Sequence, residues 1–135
     1  MSPVDVSWMV GRNVNVTVSE SSYAWSFDLG DSCSIIVECP WRILLKGKVR
    51  HSSEDHALKR HGLPPPVHVA AEANRLFEGS PIVKAEIRHT DLLLDLEGEV
   101  RLEVLPFFPG YEHWQFSTPQ GSHVFAGPNG EVAAW

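Results

Sequence analysis

The chain has 135 residues, a formal net charge of −6, 43% hydrophobic and 21% charged residues. That length and composition suit one globular domain, residues 1–135, with a core of its own, and exclude a disordered or fibrous chain. The acidic balance disfavours nucleic acid and anionic membranes, whose recognition begins with Lys/Arg attraction to phosphate, and is compatible with a basic protein partner.

No apolar run approaches the roughly 18 residues of a membrane helix, and Met1-Ser2-Pro3-Val4-Asp5 lacks the basic start and apolar core of a signal peptide. The expectation is a cytoplasmic protein. Cys33 and Cys39 agree with it. They lie six residues apart in a segment that reads as a strand, about 20 Å at ~3.3 Å per residue, far beyond the ~5.5–6 Å of a disulfide. Both are expected as small buried hydrophobes.

In chain order, Val14, Val16 and Val18 alternate with Asn15 and Thr17, and Tyr23 to Phe27 alternates again, each the period of a half-buried strand. Asp28-Leu29-Gly30-Asp31 is a turn. Cys33 to Cys39 is a buried strand stopped by Pro40, and Trp41 to Lys46 resumes as a strand continued through Gly47 to Arg50. Ser52-Ser53-Glu54-Asp55 has the cap and acidic first turn of a short helix that ends near Gly62. After Pro64-Pro65-Pro66, the spacing of Val69, Ala70, Ala73, Leu76 and Phe77 predicts the main helix over 66–78.

Strands return at Ile82–His89 and Leu92–Leu96 around a Thr90-Asp91 turn, then at Glu99–Leu105, Tyr111–Thr118, His123–Ala126 and Glu131–Trp135. The fold class is therefore α+β, mostly antiparallel β: a sandwich or strongly bent sheet of nine or ten strands, with one main helix and a short one. A weak echo joins the halves. Val14…Val16, Phe27-Asp28-Leu29-Gly30 and Ile36 to Trp41 resemble Val83…Ala85, Leu94-Asp95-Leu96-Glu97 and Leu102 to Phe107. Each unit reads as a three-stranded meander closed by Pro plus an aromatic, though the spacing between units is not constant.

Motifs for chemistry are weak. His51, His56 and His61 recur every five residues, a step that turns each side chain off the face that i, i+4 zinc ligands share. No metal site, no cofactor and no catalytic residue follows. Asp55-His56 and Glu112-His113 are adjacent in sequence, and neighbours on one element point in different directions. One alternative is a small hydrolase or ligand-binding enzyme in which Asp55, His56 and Glu112 converge; another is a structural homodimer. Five tryptophans stand beside Phe107-Phe108-Pro109-Gly110-Tyr111, an aromatic segment with loop chemistry. Phe107, Phe108, Tyr111 and Trp114 are the residues expected to meet a partner, since buried aromatics anchor protein interfaces.

Tyr111-Glu112-His113-Trp114, Pro119-Gln120-Gly121 and Gly127-Pro128-Asn129-Gly130-Glu131…Trp135 resemble the closing signature of a bacterial family of small β-rich proteins of unknown function. Gly11-Arg12-x-Val14, Trp41-Arg42 and Asp55-His56 are also similar, and Asn129-Gly130 stands where that signature carries Gly-Gly. The resemblance implies an immunity-type or accessory protein of a bacterial toxin system, with no established activity. The function expected is a non-enzymatic binding protein, an immunity-like inhibitor of a cognate toxin, which the acidic surface would favour as basic. The resemblance brings no catalytic residue with it.

Overall fold

In the computed structural model the described residues are 4–19, 24–55, 68–107, 113–127 and 131–134. Among these residues eleven strands form two antiparallel sheets: β1 (Asn15–Val18), β2 (Trp25–Asp28), β3 (Ser34–Val37), β4 (Trp41–Leu45), β5 (Lys48–Ser52), β6 (Ile82–Arg88), β7 (Asp91–Leu96), β8 (Val100–Val104), β9 (Trp114–Ser117), β10 (His123–Gly127) and β11 (Glu131–Ala134). One sheet runs β1-β2-β3-β9-β10-β11, the other β5-β4-β8-β7-β6. The mostly antiparallel α+β expectation holds. The count exceeds it by one because Trp41–Arg50 is a hairpin rather than one strand. Lys46 and Gly47 both take positive φ (53° and 79°), so Leu45 pairs back onto Lys48. That is the geometry of a two-residue turn whose twist matches paired strands.

The main helix, α1, spans Val69–Phe77 and buries Val69, Ala73 and Phe77, one stripe at helical spacing. Its expected residues 66 and 67 lie outside the described set. The short helix begins as a 3-10 turn at Ser53–Asp55, and its expected continuation to Gly62 also lies outside. The β6–β7 turn is His89-Thr90, with Arg88 opposite Asp91, one residue earlier than the alternation suggested.

The halves are related strand by strand. Trp25 pairs with Val37 and Phe27 with Ile35; 67 positions later, Leu92 pairs with Val104 and Leu94 with Leu102. Each half lays a three-stranded meander in one sheet (β1-β2-β3, β6-β7-β8) and then crosses to the other. There β4 joins β8 and β9 joins β3. The exchange is reciprocal: Trp41 sits opposite Val104, and Trp114 opposite Val37. Even the crossings match, Leu105 N donating to Pro40 O (2.9 Å) and Glu38 N to His113 O (2.8 Å). The counterpart of Pro40-Trp41 is thus His113-Trp114, not the Pro106-Phe107 of the sequence echo.

One core fills the space between the sheets. Trp41 meets Trp25 and Phe27 edge-on at 4.9 and 5.1 Å, and Phe27 reaches Phe77 of α1 at 6.5 Å, the edge-to-face arrangement that aromatic quadrupoles favour. Trp114 stacks on Phe116 at 5.7 Å, and its Nε1 donates to Thr90 O across the sandwich at 2.8 Å. Cys33 and Cys39 flank β3, both free and buried, and burial pushes the Cys39 thiol up to about 12.

Candidate functional site

One feature that breaks the internal symmetry is a loop. Between Val37 and Trp41 the chain crosses from sheet to sheet in three residues, Glu38-Cys39-Pro40. Between their counterparts Val104 and Trp114 it uses nine, 105–113. Both crossings are tied by the same pair of hydrogen bonds, so three residues suffice for the turn and six are extra to it. The longer crossing carries Phe107, whose side chain is 65% exposed, the most exposed large apolar residue among those described. A phenyl ring left in water on a loop marks a contact surface more readily than a packing role.

The four residues expected to meet a partner divide. Phe107 is on the surface. Phe108 and Tyr111 lie outside the described residues. Trp114 is 1% exposed. It belongs to the core: the first residue of β9 faces inward opposite Val37, and its indole is held by Thr90 O and Phe116. A partner could not touch it without opening the sandwich, which corrects that assignment. The sequence alone groups Trp114 with Phe107, Phe108 and Tyr111 because the inward direction of β9 is set only by its pairing with β3.

Of the enzyme alternative, Asp55 closes the 3-10 turn after β5, while His56 and Glu112 lie outside the described residues. His113 is 2% exposed and is the last residue of the crossing. His51 lies on β5; burial and the adjacent Arg50 hold its imidazole below the usual range, against the opposing pull of Glu72 and Asp55. Among the described residues no group of three His, Cys, Asp or Glu side chains could hold a metal ion. No helix among the described residues is long and apolar enough to cross a membrane.

The outward face of the five-stranded sheet is a lattice of ion pairs. Arg42 Nε lies 2.7 Å from Glu103 Oε1, Arg101 Nε 3.2 Å from Glu103 Oε2, and Arg101 Nη1 3.8 Å from Asp95 Oδ1. Beside it a depression of about 340 Å³ is lined by Leu44, Asp95, Glu99, Arg101 and Glu103. The outward face of the six-stranded sheet is built differently. A depression of about 180 Å³ lies there over β3, β9 and β10, lined by Ser34, Ile36, Gln115, Ser117 and His123. No family model, no curated protein and no solved structure matches this chain.

Proposed function

We propose that the chain is a non-enzymatic binding protein that engages a protein partner through the 105–113 crossing, with Phe107 as its anchor. The observation that carries this reading is the six-residue excess of that crossing over its counterpart, together with the exposure of Phe107 on it. The crossing needs neither the extra residues nor an aromatic at that place, since Glu38-Cys39-Pro40 performs the same turn without them. Phe108 and Tyr111, the other aromatics of that stretch of sequence, are proposed to join the anchor. The net charge of −6 favours a basic partner and speeds its encounter. An immunity-like inhibitor of a basic toxin has this chemistry, and the C-terminal resemblance to immunity-type or accessory proteins agrees with it.

The test compares the wild-type chain with Phe107→Ser in quantitative affinity purification from the native host at low and high salt. The expected result is a stoichiometric protein complex that weakens as salt rises and loses at least about tenfold in affinity with the variant, the scale of one interface anchor at ~1.4 kcal/mol per decade. The same proteins retained equally by both chains, or none retained by either, would sink the reading.

A further inference from the structure

We infer that the outward face of the six-stranded sheet, over β3, β9 and β10, is a binding site for a neutral carbohydrate. The internal symmetry supplies the comparison. On the five-stranded sheet Glu103 stands opposite Arg42 and Arg101 opposite Asp95. At the corresponding positions of the six-stranded sheet, Ile36 stands opposite Gln115 and Ser34 opposite Asp28. The first lattice consumes its own polar groups, Arg42, Arg101, Glu103 and Asp95 being joined to one another. The second leaves the Ser34, Gln115 and Ser117 side chains engaged by no other described residue.

These groups border the depression of about 180 Å³, and no Asp, Glu, Lys or Arg lines it. Hydroxyl and amide side chains both donate and accept, which is the pattern a sugar's hydroxyls present in return. The one titratable group lining the depression is His123. The volume holds about six waters at ~30 Å³ each, the bulk of a single pyranose ring.

An apolar floor accompanies the polar rim. Ile36 supplies part of it. Phe125 stands directly across from Gln115 on β10, beside the depression and not in its lining. Its ring lies along the strand over Gly127, where an added Cβ would come within 3.0 Å of Phe125 Cε2 and 3.2 Å of Cδ2. The missing side chain at Gly127 is what lets the ring lie against the strand, and His123 flanks it at 5.7 Å. The C–H face of a sugar settles on such a surface, while its hydroxyls reach Gln115 and the serines. A shallow, solvent-open site of this kind binds on the order of millimolar, because little ligand surface is buried to offset the lost freedom.

The inference is independent of the protein-partner reading and uses none of the residues of the 105–113 crossing. The test is a titration of the isotope-labelled chain with maltose, cellobiose and N,N′-diacetylchitobiose, followed by amide chemical shifts. At least one sugar should give saturable shifts centred on Ser34, Ile36, Gln115, Ser117 and His123. Those shifts should disappear in Gln115→Ala and persist in Arg42→Ala, on the opposite sheet. No saturable shift with any of the three, shifts centred elsewhere, or unchanged binding by Gln115→Ala would overturn it. The unliganded spectrum of Gln115→Ala reports whether that variant remains folded.

Discussion

Asn74 on α1 serves as an extra strand for β1. Its Oδ1 accepts from Val16 N at 2.7 Å and its Nδ2 donates to Val16 O at 2.9 Å. An edge strand otherwise shows a row of unpaired backbone groups to other chains. Asn74→Ala should lower stability by about 1–3 kcal/mol in denaturant unfolding, the range for stranding partly buried backbone groups. Asn74→Asp keeps an acceptor but sets a carboxylate against Val16 O. Its loss should shrink as pH falls and the carboxyl takes up a proton that it can donate. The tryptophans offer a second test at this scale. Trp114 Nε1 has an acceptor in Thr90 O, whereas Trp41 Nε1 is buried without one. Both are 1% exposed, so Trp→Phe leaves a similar void at each. The Trp114→Phe variant should be the less stable of the two by about 1 kcal/mol, the net worth of one buried hydrogen bond. Equal losses would show that the bond to Thr90 contributes nothing.

Among the elements, the β4–β5 hairpin carries the clearest prediction. Its turn places Lys46 at φ 53° and Gly47 at φ 79°, a left-handed conformation that disfavours most side chains and suits Asn and Gly. Lys46→Asn should raise the melting temperature by a few degrees, and Gly47→Ala should lower stability by about 1–2 kcal/mol. Nothing lies within 4 Å of a Cβ added at Gly47, so the second effect would be backbone strain alone. The same hairpin shows why alternation was insufficient to divide this stretch. Trp41 to Arg50 has strand-forming residues on both sides of the turn, and Lys-Gly is a weaker hairpin signal than Asn-Gly. The helix, by contrast, was readable. Its apolar spacing marked residues that the structure buries, because a nine-residue amphipathic segment needs only one face to pack.

For the whole molecule, the reciprocal exchange of strands means that neither half completes a sheet alone, since β3 needs β9 and β8 needs β4. Replacing 105–112 by Glu-Cys, as at 38–39, and keeping His113, whose N donates to Ala126 O at 2.9 Å, therefore removes nothing that the sheets require. The shortened chain should keep its β-rich circular dichroism and cooperative melting while losing the protein partner. If shortening unfolds it, the extra residues are structural and the partner reading loses its main support.

Local chemistry in the sequence was enough for the antiparallel class, the main helix, most turns and the burial of both cysteines. Each rests on periodicity, turn residues or the reach of a strand, all set within a few neighbours. The echo between the halves was also visible, and its first two strands were aligned correctly, Val16 with Ala85 and Phe27 with Leu94. Long-range pairing decided the rest. Only the opposition of Trp114 to Val37 reveals that this tryptophan faces inward and that the aromatic surface narrows to Phe107. Only the two sheets side by side reveal one lattice closed by ion pairs and another left open. Alternation along a strand gives two faces without saying which is in, and that choice belongs to the partner strand.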